Sequence, residues 1–188
     1  MDRKQLLEKI IAREAAMFIA VKASEPADCQ EMLKTFYLMR EMSHSVLAAD
    51  TLTSYLQDLE TAAAAGRNLM TEKYARMENL IPSLNENELI YKIVDIERKW
   101  LSEVHKKYPL TIAVEGGFTT YAVCELETYS DATLNLYYRD IFLAATQKRN
   151  LVEERYQYLY GNLGFKDLEE VEACLLYTSP SPRDVEES

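Results

Sequence analysis

One stretch of the sequence decides the fold: Gly66-Arg67-Asn68-Leu69-Met70-Thr71-Glu72-Lys73-Tyr74-Ala75-Arg76-Met77. A diverged copy returns 82 positions later, from 66 to 148, as Lys148-Arg149-Asn150-Leu151-Val152-Glu153-Glu154-Arg155-Tyr156. When residues 51–74 are aligned with residues 133–156 without a gap, 11 of 24 positions are identical. Self-similarity at a fixed spacing is typical of a repeated structural unit, so we interpret the chain as a tandem duplication.

The composition favours helices. The 188 residues include only five glycines and five prolines, and 48% of them are apolar. Gly and Pro interrupt helices, whereas Ala, Leu and Glu lose little free energy on entering one. We therefore predict an all-α fold, a single domain over residues 1–173. It consists of two tandemly duplicated halves, 1–82 and 83–165, with about four helices each around a pseudo-twofold axis.

Apolar residues at helical spacing, together with capping residues, place the helices. In the first half we predict helices over residues 4–22, from Asp28 through Leu47, from Asp50 to Gly66, and from Leu69 to about Leu80. In the second half we predict a first helix ending at 106–109, then Thr119–Tyr129, Ser130 or Asp131 to Gln147, and Leu151 to about Tyr160. Gly66 suits the left-handed position after a helix. The second copy has Lys148 there, so its last two helices are either separate or one continuous rod.

Residues 174–188 are interpreted as a non-native tail. The run from Cys174 to Asp184 resembles a translation of the transposase-derived adapter used in short-read sequencing. Its Ser- and Pro-rich composition offers few side chains that form a core, so we expect the tail to be disordered.

Charge and cysteine content limit the classes of function. Thirty-one acidic and 21 basic residues give a formal net charge of −10, which argues against binding to the phosphate backbone of a nucleic acid. No apolar run approaches the roughly 18 residues that cross a membrane. The cysteines Cys29, Cys124 and Cys174 lack metal-binding spacing and suit a reducing compartment. We expect a cytoplasmic protein that uses no cofactor and has neither nucleic acid nor membrane as a partner.

Several short motifs are shared with a known family. They are Asp28-Cys29-Gln30, Thr35-Phe36, Met39-Arg40, Ser54-Tyr55, Asp58-Leu59, the stretch 66–77, Glu127-Thr128-Tyr129-Ser130, Thr133-Leu134, Tyr160-Gly161 and Leu168-Glu169-Glu170. Through them the chain resembles an uncharacterised bacterial family of helical proteins, known only as a domain of unknown function. The resemblance covers nearly all of residues 5–172; it implies a helical fold and no particular activity. The chain departs from the family's pattern where Ala15, and not Trp, follows Glu14.

The duplicated motif contains the candidate ligand-binding residues. They are Arg67, Asn68, Glu72, Tyr74, Arg149, Asn150, Glu154 and Tyr156. In a functional interpretation, the free N–H groups at each helix start and the neighbouring Arg hold a carboxylate or phosphate. In a structural interpretation, which we favour, Asn caps the helix, Arg pairs with Asp58 or Asp140, and Leu and Tyr enter the core.

Glu41 and His44 form a Glu-x-x-His unit, from which carboxylate-bridged di-iron bundles are built. Such a site needs two units, and Ser102 stands three residues before His105, where the second Glu is required. Glu41 and His44 are therefore weak metal candidates. No motif identifies a catalytic residue.

Glu14 and Glu97 occupy matching places in the first helix of each half, where each is either an internal carboxylate or part of a solvated face. Duplication also brings two sets of Arg, Asn, Glu and Tyr towards one cleft. We therefore predict binding of a small polar or anionic ligand between the halves. A scaffold or protein-interaction module and a metal-dependent helical-bundle oxidase are the alternatives.

Overall fold

A computed structural model describes residues 2–22, 29–114 and 116–178 and is helical, which confirms the predicted all-α class. Within these ranges the helices are α1 (Arg3–Lys22), α2 (Cys29–His44), α3 (Ala49–Ala64), α4 (Leu69–Met77), α5 (Leu89–Lys107), α6 (Phe118–Leu126), α7 (Asp131–Thr146), α8 (Leu151–Asn162) and α9 (Leu168–Thr178). The predicted cap Asp28 lies outside the described residues. None of these helices is both long and apolar enough to cross a membrane.

The same helix pairs pack together in each half of the chain. Helix α1 contacts α2, α3 and α4, and α5 contacts α6, α7 and α8. Three pairs join the halves: α3 with α7, α4 with α6, and α2 with α8. The core side chains correspond as well, since the fully buried Ile10, Leu52 and Leu59 have fully buried partners in the repeat at Ile93, Leu134 and Ile141. These pairings agree with a duplication, while the pseudo-twofold axis and the repeat bounds stay predictions.

Each copy of the repeated motif breaks the chain between two helices. Gly66 adopts the predicted left-handed conformation with φ 70°, and Lys148 adopts it with φ 57°. The N–H of Arg67 then donates to Ala62 O at 2.8 Å, and that of Arg149 to Ala144 O at 2.9 Å. These bonds satisfy carbonyl groups that a helix end leaves free. Helices α7 and α8 are therefore separate, and the continuous rod is excluded.

The predicted asparagine caps are confirmed. Oδ1 of Asn68 accepts the N–H groups of Met70 and Thr71 at 3.0 Å each, and Oδ1 of Asn150 accepts that of Glu153 at 3.0 Å. Each asparagine also binds the first helix of its own half. Nδ2 of Asn68 donates to a backbone carbonyl of α1, and Nδ2 of Asn150 donates to a backbone carbonyl of α5. These asparagines are helix caps and packing contacts at once.

The predicted cap at Asp50 is wrong. Ala48 precedes α3 without a side-chain cap, and its N–H donates to Oδ2 of Asp140 at 2.9 Å. The reciprocal contact exists at the start of α7, where the N–H of Ser130 donates to Asp58 at 3.0 Å. At α3 a side chain from the opposite half therefore fills the role expected of a local residue, whereas α7 has the predicted local cap, because Oγ of Ser130 accepts the N–H of Thr133 at 3.2 Å.

Several helix ends differ from the prediction. Helix α2 ends at His44 and not at Leu47, and α6 ends at Leu126 and not at Tyr129, because Ser45 N–H closes onto Met42 O and Thr128 N–H onto Glu125 O. Helix α4 ends at Met77 and not near Leu80, because Asn79 turns left-handed at φ 57° and Leu80 N–H closes onto Ala75 O. Helix α9 extends through residues 174–178, part of the tail expected to be disordered. Its start is capped by Asp167 and anchored by buried side chains, and helix-compatible residues continue it. Residues 179–188 lie outside the described ranges.

We expect the substitution Lys148→Gly to stabilise the protein by about 1 kcal/mol, since a left-handed conformation costs a non-glycine residue roughly that amount. The matched change Gly66→Lys should cost about the same, because nothing lies within 4 Å of the added Cβ and only the φ angle resists it. Urea unfolding measures both. If both substitutions raised, or both lowered, the free energy of unfolding, the left-handed conformation of Lys148 would not be the source of the difference.

Candidate functional site

The first buried cluster is built around Glu14, which α1 places fully inside the protein. Arg40 on α2 donates to both carboxylate oxygens, from Nη2 at 2.6 Å and from Nε at 2.9 Å. His44, one turn further along α2, places Nε2 3.0 Å from Oε1, and the hydroxyl of Tyr55 donates to the same oxygen at 2.7 Å. Glu14 is thus the internal carboxylate, and the alternative of a solvated face is excluded.

Arg40 extends this cluster into the second half of the chain. Its Nη1 and Nη2 each donate to Glu125 on α6 at 3.0 Å. Lys73 on α4, only 2% exposed, places Nζ 3.2 Å from the same carboxylate and donates to the hydroxyl of Tyr121 at 3.0 Å. Four helices therefore meet in one ion network, which fixes their relative positions.

The ion network lowers the pKa of both carboxyl groups. Burial acts in the opposite direction because it disfavours the charged form, but Arg40 and His44 outweigh it and lower the pKa of Glu14 to about 2. Burial likewise opposes ionisation of Glu125, and Arg40 and Lys73 still hold its pKa well below the ordinary range. Both groups are therefore carboxylates at neutral pH.

The second buried cluster is built around Glu97 on α5, which is also internal at 4% exposure. The hydroxyl of Tyr137 donates to Oε1 of Glu97 at 2.9 Å, and Nη2 of Arg155 lies 2.9 Å from the same oxygen. Nη2 of Arg155 also donates to the Tyr137 hydroxyl at 2.6 Å. Burial raises the pKa of Tyr137, so its hydroxyl keeps the proton that it donates.

A cavity of about 670 Å³ lies between α2, α5, α6 and α8 and contains groups from both clusters. Its polar lining consists of Arg40, Ser43, His44, Glu97, Thr111, Tyr121, Glu125, Tyr129, Tyr137, Arg155 and Tyr156. Its apolar lining consists of Met39, Met42, Leu47, Met77, Leu101, Ala113, Gly117, Phe118, Ala122, Leu126 and Val152. Buried charges beside apolar walls can orient a small molecule and exclude water from it.

Most of the chain matches a known protein family. A family model described as "Protein of unknown function (DUF4125)" matches residues 4–173. The chain belongs to this family. The match confirms the resemblance to a helical family of unknown function, and it includes both buried clusters. Comparisons with curated proteins and with solved structures gave no match.

In this DUF4125 chain, most of the candidates chosen from the sequence lie away from the cavity. Arg67 pairs with Glu72 through two hydrogen bonds of 2.7 and 2.8 Å, and Arg149 pairs with Glu154 at the same two distances. The predicted pairing of these arginines with Asp58 and Asp140 is therefore wrong: a glutamate five residues on lies closer, and the aspartates cap the opposite half.

The tyrosines of the repeated motif differ in position. Tyr156 lines the cavity, whereas Tyr74 is half-buried against the core and is not among the cavity residues. Leu69 and Leu151 enter the core, as the structural interpretation predicts. Ligand binding by the eight candidates stays a prediction, and only Tyr156 among them touches this DUF4125 cavity.

The side chains of Glu41 and His44 do not bind a common partner. His44 is turned towards Glu14, and Glu41 is half-buried with no hydrogen bond among the described residues. Across the described ranges, His, Cys, Asp and Glu side chains form no group of three or more that would suit a metal ion.

The sequence interpretation missed Arg40, Lys73, Glu125 and Arg155. One signal was available for two of them: Lys73 and Arg155 occupy the same basic position of the repeated motif, four residues after a core leucine and so on the buried face of the helix. A basic residue on an apolar stripe in both copies indicates a buried partner. Arg40 and Glu125 gave no such signal because their partners are distant in sequence.

We expect Glu14→Gln to lower the free energy of unfolding at pH 7 by roughly 3–5 kcal/mol, because it leaves Glu125 as the one carboxylate of this network for two buried cations, Arg40 and Lys73. The folded pKa of about 2 lies below the ordinary 4.5, so the stabilisation by Glu14 is complete above pH 4.5 and is lost as the pH falls towards 2. In urea unfolding between pH 2 and 7, the free energy of unfolding should fall less steeply with decreasing pH for the variant than for the unchanged protein.

The exposed pair of Arg67 and Glu72 supplies the control for this titration. The change Glu72→Gln should cost at most about 1 kcal/mol, as is typical of surface pairs. Equal losses in Glu14→Gln and Glu72→Gln would show that Glu14 does not stabilise the interior as described.

Proposed function

We propose that the protein binds a small molecule with a polar head and an apolar body in the cavity between α2, α5, α6 and α8. The observation that carries this proposal is the conjunction of buried charged groups with a cavity of about 670 Å³. Pockets for small molecules span roughly 300–1,000 Å³ and combine apolar walls with a few oriented polar groups. A cavity of this size and chemistry is costly to maintain for packing alone.

The cavity walls suit an apolar body of variable shape. Met39, Met42 and Met77 come from three turns on two helices and have flexible, polarisable side chains that adapt to a ligand. Phe118 and Leu101 supply further apolar surface. These contacts favour a ligand whose larger part is apolar.

The charges favour a ligand that is polar but carries no net charge. The two buried clusters contain three carboxylates, Glu14, Glu97 and Glu125, and three cations, Arg40, Lys73 and Arg155. Because they balance, an anion such as phosphate would leave an uncompensated buried charge. Of the predicted ligand classes, small polar molecules therefore fit better than anions, whereas the scaffold and oxidase alternatives stay predictions without a supporting contact.

A thermal-shift screen of small metabolites tests the proposal. The panel should contain amino acids, amines, carboxylic acids, sugar phosphates and nucleosides. A compound present at 100 times its dissociation constant is expected to add about 2.7 kcal/mol to the free energy of unfolding, which raises the melting temperature.

The variant Ala122→Phe localises any such binding. Ala122 lies in the cavity wall on α6, so a phenyl group there occupies the space that the ligand needs. The matched control is Ala145→Phe on the exposed face of α7. Loss of the shift in Ala122→Phe alone supports cavity binding; no shift across the panel, or an equal shift in both variants, would refute it.

A further inference from the structure

The two buried clusters are built from corresponding residues. Glu14 and Glu97 accept a tyrosine hydroxyl through Oε1, from Tyr55 and Tyr137 respectively. The tyrosine rings also have matching neighbours: His44 lies 5.2 Å from Tyr55 between centroids, and Tyr129 lies 6.3 Å from Tyr137. His44 and Tyr129 are thus ring neighbours of the two tyrosines, but Tyr129 lies closer to Tyr55, at 4.4 Å, and its hydroxyl donates to Glu125 and not to Glu97.

The clusters differ at the second carboxylate oxygen. Oε2 of Glu14 accepts Nε of Arg40, which lies four residues before His44. The residue four before Tyr129 is Glu125, and its carboxylate pairs with Arg40 and Lys73 instead. Within the described part of the chain, Oε2 of Glu97 accordingly accepts no hydrogen bond.

The guanidinium of Arg155, which pairs with Glu97, is itself incompletely hydrogen-bonded. Its Nη2 pairs with Glu97 and Tyr137, but its Nε is buried and has no hydrogen-bond partner. Both side chains are at least nine-tenths buried, at 10% exposure for Arg155 and 6% for Glu97, and both line the cavity. An unpaired donor that is buried costs free energy, so the protein leaves the Arg155 guanidinium incompletely satisfied at the wall of the cavity.

We propose that the cavity binds an α-amino acid with a large apolar side chain, an inference that rests on the ligand-binding function proposed above. The ligand's ammonium group pairs with Oε2 of Glu97, as Arg40 Nε pairs with Oε2 of Glu14. Its carboxylate pairs with the guanidinium group of Arg155, a side chain that lines the cavity. In an α-amino acid, one carbon separates the ammonium group from the carboxylate. The two groups can therefore reach the neighbouring side chains of Glu97 and Arg155, which are ion-paired with each other.

The remaining features of the cavity agree with this ligand class. A zwitterion carries no net charge, so it preserves the balance of the three buried carboxylates and three buried cations. The cavity of about 670 Å³ is larger than a small amino acid needs, and its methionine and phenylalanine walls accept a bulky apolar side chain.

Isothermal titration calorimetry with three indole compounds tests the assignment. L-Tryptophan carries both groups, tryptamine lacks the carboxylate, and 3-indolepropionate lacks the ammonium group. Because a hydrogen bond to a charged group contributes a factor of roughly ten to a hundred, L-tryptophan should bind at least about tenfold more tightly than either analogue. An analogue that binds as tightly as L-tryptophan would overturn the assignment.

Two variants separate the contributions of the two groups. The change Arg155→Lys should weaken binding of L-tryptophan about tenfold and leave tryptamine unaffected, since it removes the planar guanidinium group but keeps the charge. The fold should tolerate it because lysine occupies the corresponding position 73. The change Glu97→Gln should weaken binding of both amines but not of 3-indolepropionate, whose negative charge compensates the Arg155 that the variant leaves unpaired.

The control is Arg98→Lys, an exposed position on α5 outside the cavity. Melting curves establish that each variant is folded; unchanged tryptophan binding by folded Arg155→Lys would overturn the proposed contact. If other panel compounds bind and Ala122→Phe abolishes that binding, the ligand-binding function stands and the amino-acid assignment fails. If neither the panel nor L-tryptophan binds, both proposals fail.

Discussion

The neutralisation of buried charge is the constraint on which the interior depends. Glu14 is fully buried, and an unpaired carboxylate at that depth would cost several kcal/mol. Arg40 compensates it, but Arg40 is also the partner of Glu125 from the other half of the chain. A shift of α2 against α1 or α6 would therefore unpair an ionised group, so electrostatics and packing fix the same arrangement of helices.

The two halves share a scaffold and differ in how the carboxylate is satisfied. In the first half, Arg40 and His44 complete the shell around Glu14. In the second half, the corresponding helix supplies no donor, and a cavity adjoins Glu97 and Arg155. In the proposed function, this cavity holds the ligand.

Local features of the fold were predictable from the sequence, whereas the charge network was not. Asn68 and Asn150 are caps because their side chains bond within three residues, and Gly66 follows from backbone geometry alone. Periodicity and repetition also indicated Glu14 and Glu97. The pairing of Arg40 with Glu125 spans 85 residues and depends on the packing of helices that no local pattern specifies. For the same reason, the cap of α3 was assigned to Asp50 and not to Asp140.

The exchange of helix caps between the halves has a consequence for folding. The N–H at the start of α3 is satisfied by Asp140, and that at the start of α7 by Asp58. Each half therefore supplies the carboxylate that binds the first N–H of the other half's third helix, and a half that folded alone would exchange this bond for one to water. The halves are consequently expected to unfold in one cooperative transition, although their sequences read as two similar units.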